Sequence, residues 1–468
     1  MKILLFLILN SLFLIIKAKE INNSSESLKY MELNFKRNLT YPEELTPLSF
    51  FKTYFYNQIY VNIKVGSKKQ EIPFYFYLQQ FPFTIKSSNV IKREVKGIYN
   101  ESMSDSYKSF KKDSLSKGDL IEGILSEDQF YFNDNIQTFI NFYLDKESSG
   151  SSHITEGGKI GFKIHPEYDE SKNVSFISNL KENKLISSKI FSIKYDSNKI
   201  EEDEGTLIIG AFPHNINGDQ YKEEYYEKGN AIQGFTGIDW ILNFNEIKYN
   251  NYTYEREIAG YFYSEIGFII GTEKFFEYLK KLELWKKFFD EKKCHEQKFR
   301  IDDFEGNDNN QRFLFEYTGY YCDKDVDVEK INIGEILYYE KRNNFNISIS
   351  GKDMWMEKDG YKYFMILQTQ NYENLWYFGK PFFKKYQMIF DCDNKMIGYY
   401  SKTLDLPDKN EEKSQSSIGY IIAIIILGII IIILAYFLIK CYIILPRKKR
   451  ANELTDDNYD YSGGNINE

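Results

Sequence analysis

The sequence predicts a mainly β protein of two compact lobes followed by one membrane-crossing helix, and three observations carry that prediction. Short runs of alternating or continuous β-branched and aromatic residues recur along the chain, punctuated by Gly, Asn and Asp, as strands and hairpins require. Between a leader at one end and an apolar run at the other, roughly 400 residues remain; at about 100 to 200 residues per domain this suits two lobes, each able to bury its own core. One uncharged stretch, Ile418 to Ile439, is long enough to span a bilayer.

Composition narrows the class. Charged residues make up 27% of the chain and apolar ones 43%, with 17% aromatics, which excludes a disordered tail and a multi-span transporter alike. The net charge of −8 comes from 60 basic and 68 acidic residues interspersed along the chain. No basic stripe results, so no nucleic-acid partner is expected. The heavy use of Ile, Asn, Lys, Tyr and Phe, with only 9 Pro, reads as the bias of an AT-rich genome. Single lysines and aromatics therefore receive no functional weight at this stage.

The elements follow in chain order. Met1 to Ala18 has one early base, Lys2, then the apolar run Ile3 to Ile16 broken only by Asn10 and Ser11, then the small Ala18; residues 1–18 form a secretory signal peptide. Residues 19–44 are an N-terminal extension. Strand runs are Gln58 to Val65, Ile72 to Ile85, Phe191 to Tyr195, Thr206 to Gly210, Trp240 to Tyr249 and Gln387 to Tyr400. Helical periodicity is sparse. It is best over Lys274 to Asp290, with Phe275, Phe276, Leu279, Leu282 and Trp285 on one face, and a shorter helix covers Ser175 to Asn183. The first lobe takes residues 45–212, a connection 213–235, and the second lobe 236–405.

A polar stalk, 406–417, leads to the span 418–439, about 33 Å long as a helix against a hydrocarbon core of about 30 Å. Lys440, Arg447, Lys448, Lys449 and Arg450 follow, so the positive-inside bias puts the tail, 440–468, in the cytosol. The expected protein is single-pass type I, with its ectodomain lumenal or extracellular. Cys441 at the cytosolic edge is open to palmitoylation or is a plain boundary cysteine. Seven N-x-Ser/Thr sequons, at Asn22, Asn23, Asn38, Asn100, Asn173, Asn251 and Asn346, fall on the exported side and are glycosylation candidates. Cys294 and Cys322 form the expected disulfide, both being on that side and closing a loop of moderate size, which leaves Cys392 without a partner.

Three segments together resemble the pepsin-like aspartic proteases. Val65-Gly66-Ser67-Lys68-Lys69-Gln70-Glu71 with the strand Ile72 to Tyr77 is similar to that family's "IGTPxQ" hairpin and first catalytic strand. Gly267-Phe268-Ile269-Ile270-Gly271 followed by a helix, within Ala259 to Tyr278, is similar to the second-lobe strand, psi-loop and helix. Leu375 to Tyr400, with Trp376, Phe378, Gly379, Phe382, Tyr386, Phe390, Asp391, Asn394, Ile397 and Gly398, resembles the closing hairpins "W-x-x-G-x-x-F…Y…FD…N…IG". Weaker echoes fall in family order at Gly158 to Gly161, Ile190 to Ser192 and Gly205 to Gly210. The resemblance covers about residues 45 to 405 and implies a bilobal pepsin-like fold, two β-barrel-like lobes with a peptide-binding cleft between them. Cys294 and Cys322 also sit where the family's second lobe carries a disulfide.

That family's chemistry needs an Asp-Thr/Ser-Gly turn from each lobe, two close carboxylates sharing a proton so that one activates water while the other donates. No Asp-Thr-Gly or Asp-Ser-Gly occurs anywhere in this chain. Counting from Gly66 and Gln70 puts Tyr77 at the first aspartate position, followed by Leu78, Gln79, Gln80 and Phe81. Counting back from Gly271 puts Tyr263 at the second, followed by Ser264, Glu265, Ile266 and Gly267. A phenol of pKa about 10 stays neutral at lumenal pH and cannot be the general base. Gln79, Gln80, Ser264 and Glu265 are the cleft candidates, and Glu265 is the one carboxylate near either turn. The flap region is expected within Phe110 to Phe130.

Other chemistries lack their patterns. The histidines, His153, His165, His214 and His295, form no H-E-x-x-H array. Asp323-x-Asp325-x-Asp327 starts like a calcium loop but has Val328 where Gly is needed and Gly334 where Glu is needed. No cofactor and no metal is expected. The leading reading is a membrane-anchored, catalytically inactive aspartic-protease homologue whose cleft binds peptide or protein. The alternatives are a working aspartic endopeptidase and a surface glycoprotein of structural or adhesive role, with Tyr77 and Tyr263 packed as core aromatics. The short stretch between Ala18 and the first strand run leaves little room for an inhibitory prosegment, which favours the inactive readings.

Overall fold

The computed structural model describes residues 28–403 except 38–41, 43, 81–82, 89–96, 111–122, 134, 146–156, 164–174, 197–202, 235–236, 250–251, 303–313, 332 and 370–374. The leader, the stalk, the run Ile418 to Ile439 and the basic tail lie outside the described residues, as do the sequons at Asn22, Asn23, Asn38, Asn173 and Asn251. Among the described residues no helix is long and apolar enough to cross a membrane.

The first half of the chain contributes strands Met31–Arg37 (β1), Ile59–Val65 (β2), Gln70–Tyr77 (β3), Thr84–Lys86 (β4), Lys108–Ser109 (β5), Gly123–Tyr131 (β6), Gln137–Asp145 (β7), Gly158–Gly161 (β8), Ile190–Tyr195 (β9) and Glu204–Ile209 (β10). Helices Pro47–Phe55 (α1), Phe176–Glu182 (α2) and Pro213–Ile216 (α3) accompany them. The alternation that predicts strands is visible directly in β1, where Met31, Leu33 and Phe35 are buried and Glu32, Asn34 and Lys36 exposed. Gly66, with φ of 78°, turns β2 into β3 where a side chain would be strained.

The second half contributes Tyr226–Asn230 (β11), Gln233–Gly234 (β12), Gly237–Ile238 (β13), Ile241–Tyr249 (β14), Tyr252–Phe262 (β15), Ile269–Gly271 (β16), Cys294–Asp302 (β17), Leu314–Asp323 (β18), Glu335–Glu340 (β19), Phe345–Ser350 (β20), Trp355–Lys358 (β21), Tyr361–Phe364 (β22), Ile366–Thr369 (β23), Leu375–Phe378 (β24), Met388–Asp391 (β25) and Met396–Tyr400 (β26). Its helices are Glu273–Leu279 (α4), Glu283–Asp290 (α5) and Lys380–Lys385 (α6).

The protein is mainly β, and its described strands gather into one 13-stranded and one 11-stranded sheet, with β12 and β13 as a separate pair, consistent with a bilobal pepsin-like fold. The larger sheet runs β11-β26-β25-β9-β10-β1-β2-β3-β8-β4-β7-β6-β5. The end of the chain joins it toward one edge, where Met388 to Asp391 of β25 pair with Ile190 to Ile193 of β9.

Each sheet contains the same four-strand arrangement. In the larger, β3 is parallel to β8, β8 antiparallel to β4, and β4 parallel to β7. In the smaller, β15 is parallel to β24, β24 antiparallel to β16, and β16 parallel to β23. Parallel neighbours need long crossovers, so each arrangement draws on segments far apart in sequence.

Three details differ from the sequence reading. The run Ile72 to Ile85 is two strands, because β3 stops at Tyr77 and the chain turns before β4. The single helix over Lys274 to Asp290 is two: α4 ends at Leu279, and the extended backbone at Leu282 redirects the chain into α5, where Trp285 packs 5.4 Å from Phe364 and 5.6 Å from Tyr320. Tertiary packing here overrides helical periodicity. The extension before residue 45 holds a strand, β1, paired with β10 and with the start of β2.

Helix α1 also escaped the strand and helix runs above, although its start signal is plain. Thr46 and Ser49 make a reciprocal capping box, with Pro47 in the first turn. It buries Phe50, Phe51, Tyr54 and Phe55 against the second lobe, Phe50 stacking on Tyr363 at 3.7 Å and Phe51 on Phe299 at 5.5 Å. Removing such large aromatic surfaces from water is the main force holding the segment down.

The second lobe also buries a carboxyl, Glu255, which accepts hydrogen bonds from the Tyr249 hydroxyl and, at 2.7 Å, from Thr272 Oγ1. Burial raises its pKa above the ordinary 4.5, against the lowering pull of those hydrogen bonds. The folded state then holds a proton that the unfolded state has released, so stability falls as pH rises from 4.5 through the folded value. Glu255→Gln is expected to flatten that part of the stability curve. Denaturant midpoints between pH 4 and 8 check it; parallel curves for the two proteins would refute it.

Candidate functional site

The two four-strand arrangements place their key residues by backbone register. Tyr77 ends β3 directly opposite Gly161 of β8. In the second lobe Phe262 ends β15 opposite Phe378 of β24, so the next residue, Tyr263, lies level with Gly379. Tyr263 N donates to Phe378 O at 3.0 Å, and Phe162 N donates to Tyr77 O at 2.9 Å. The two tyrosines thus occupy equivalent ends of equivalent strands.

The turns after them are held across the molecule. Gln79 Nε2 donates to the backbone oxygens of Trp240 and Phe262, both at 3.0 Å, and its Oε1 accepts from Trp240 N at 3.3 Å. Side-chain amides that satisfy three polar groups this way lock a register rather than a reaction. Gln80 contributes its backbone oxygen to Lys163 N at 3.1 Å. On the second turn Ser264 is buried, donating to Glu265 Oε2 at 3.2 Å. Asn57, which no sequence pattern singled out, fastens that turn: its N donates to Glu265 O at 2.7 Å and its Nδ2 to Ser264 O at 2.6 Å. Lys163 and Asp239 add an ion pair at 2.8 Å.

The side chains at the two strand ends differ in setting. Tyr77 is 3% exposed and packs with Tyr75 and Tyr60, and Lys159 Nζ stands 5.6 Å from its ring centroid. Its pKa is raised well above the ordinary phenol range, by burial first, then by the charge of Glu265 and by Tyr75. Glu265, itself buried, lies within electrostatic range of Tyr77. Tyr263 is half-buried, lies tilted against Tyr377 at 5.5 Å and stacks on Tyr261 at 6.3 Å. A phenol pushed up in this way donates hydrogen bonds and does not take a proton from water.

The remaining expectations divide cleanly. Cys294 and Cys322 are bonded and face each other in register at the open ends of β17 and β18, while Cys392 is free and buried, its thiol pKa pushed up by burial. Asn100 is half-buried, its Oδ1 accepting from Ser102 N at 3.1 Å and Ser102 Oγ at 2.6 Å; Asn346 is half-buried in β20. The tip of the flap region, 111–122, lies outside the described residues, and so do His153 and His165. Among the described residues no cluster of three or more His, Cys, Asp or Glu could hold a metal ion, and Asp323, at the end of β18, stands 3.9 Å from His295.

Against known proteins, the family model for eukaryotic aspartyl protease matches residues 58–401. No curated protein matches the chain.

Proposed function

Because the chain belongs to the eukaryotic aspartyl protease family, we propose that it is a membrane-anchored member that does not hydrolyse peptides and whose cleft between the lobes binds peptide or protein. The observation that carries this reading is the pair of strand ends: Tyr77 opposite Gly161 and Tyr263 level with Gly379, where the family's two aspartates are needed. Two acids within hydrogen-bond reach of one water are required for that hydrolysis. Glu265 supplies one carboxyl at most. Loss of the dyad leaves the surrounding strands intact, so fold and cleft outlast the chemistry. Extended peptides then bind by backbone pairing to strand edges and by side-chain pockets. Anchoring by Ile418 to Ile439, with the ectodomain lumenal or extracellular and sequons glycosylated, follows from the apolar run and the basic cluster after it.

The test is cleavage of a diverse peptide library from pH 3 to 7 by the full-length chain, beside a Tyr77→Asp/Tyr263→Asp variant. Silence from folded wild-type protein is expected. Specific cleavage suppressed by an aspartic-protease inhibitor would overturn the reading in favour of a working endopeptidase. One observation favours the structural or adhesive alternative: Tyr77 is almost fully buried among aromatics. A folded protein that neither cleaves nor retains any peptide of the library would establish that alternative.

A further inference from the structure

The cleft reading leaves the chemistry of the bound peptide open, and the sheet face that carries Tyr77 bears on it. Along β3, β8 and β4 alternate residues point into the core: Phe74, Phe76, Ile160 and Ile85 are all buried there. Their neighbours Tyr75, Tyr77, Lys159, Thr84 and Lys86 share the opposite face. Register makes them adjacent, since Lys159 pairs with Tyr75 on one side and with Thr84 on the other. Lys86 follows two residues after Thr84 and pairs with Asp145 of β7. Tyr60, 5.5 Å from Tyr75 ring to ring, extends the aromatic wall.

Among the described residues the charges on this face do not balance. Lys159 and Lys86 are both half-buried. Lys159 is pushed down to about 8, by burial first and then by the nearby charge of Lys86, with Asp145 pulling the other way. Lys86 is lowered by burial and likewise opposed by Asp145. Among the described residues two ammonium groups therefore share one neighbouring carboxylate, Asp145, while Glu265 acts on Tyr77 from the second turn. Among the described residues Lys159 Nζ makes no hydrogen bond or ion pair, and it stands over the Tyr77 ring. A half-buried ammonium without an anion is costly, and an incoming carboxylate relieves both the missing partner and the repulsion from Lys86.

Resting on the cleft reading, we propose that Lys159, with Lys86 beside it, forms a carboxylate-binding subsite next to Tyr77, so that the peptides held are acidic ones. The carboxylate comes from the free end of the peptide or from an Asp or Glu side chain, and the half-buried Tyr60 gives the adjoining residue an aromatic surface.

The test uses the full-length chain in detergent micelles and one decapeptide library made in four forms: free acid or amide at the C-terminus, each with Glu or with Gln at the varied acidic positions. The forms with a carboxylate are expected to bind about tenfold tighter than the Gln amide form, the worth of one charge-assisted hydrogen bond. Whether the free-acid arm or the Glu arm carries the preference identifies its source. Lys159→Met should abolish the preference and leave the weak binding of the neutral form, whereas Lys159→Arg should keep it. Binding that ignores both acid against amide and Glu against Gln overturns the subsite and leaves the cleft reading standing. No binding of any form by folded protein overturns the cleft reading and this one with it.

Discussion

Gly379→Ala is expected to destabilise the protein by about 3 kcal/mol or more, because the added methyl has nowhere to go. A Cβ at Gly379 would stand 2.1 Å from Phe268 O and 2.4 Å from Ile266 O. Both are backbone atoms, so no side-chain rotation makes room. The strain reaches the candidate site directly: Ile266 O accepts from Lys380 N at 2.8 Å, Tyr263 N donates to Phe378 O, and the bridge from Ile266 to Tyr56 ties the same turn to the end of α1. Moving Ile266 therefore moves the turn that carries Ser264 and Glu265. Gly218→Ala is the control, its nearest neighbour being His214 O at 3.4 Å. Equal denaturant midpoints for the two variants would refute the close-approach argument.

The second large effect is expected from the double substitution Cys294→Ala/Cys322→Ala. The bond closes a loop with a sequence separation of 28, and loop-closure entropy lost from the unfolded chain sets its worth at about 3 to 4 kcal/mol. The consequence extends beyond the hairpin. Strands β17 and β18 carry Phe299 and Tyr317, which hold Phe51 at 5.5 Å and Phe55 at 5.0 Å. Loosening the pair should raise hydrogen exchange in α1 as well as in β17 and β18. A midpoint within about 1 kcal/mol of wild type, with α1 still protected, would show that β pairing alone suffices there.

Much of the molecule was legible in one dimension because the signals are local. Strand alternation depends on which face of each residue meets water, and the runs Phe191 to Tyr195, Thr206 to Gly210 and Gln387 to Tyr400 each hold the strands the structure has. The spacing from Gly66 and Gln70 to Tyr77 spans a single hairpin, so counting along the chain locates its end. The pairing of Cys294 with Cys322 joins neighbouring strands of one hairpin. Thr46, Pro47 and Ser49 make the start of α1 legible as well, through its capping box rather than through periodicity.

What the tertiary structure alone decided are the meetings of distant segments. Motif spacing singles out Tyr77 and Tyr263 separately, but only the repeated strand arrangement sets them at corresponding strand ends, opposite Gly161 and level with Gly379. Gln79 meets Trp240 and Phe262, and Asn57 meets Ser264, at separations of 161, 183 and 207 residues. Lys159 is one lysine among many in the sequence and becomes distinctive when β8 inserts between β3 and β4 and sets its ammonium over Tyr77. The physical reason is the same throughout: local sequence specifies periodicity, turns and caps, whereas burial, charge environment and hydrogen-bond partners are properties of whatever the crossovers bring alongside.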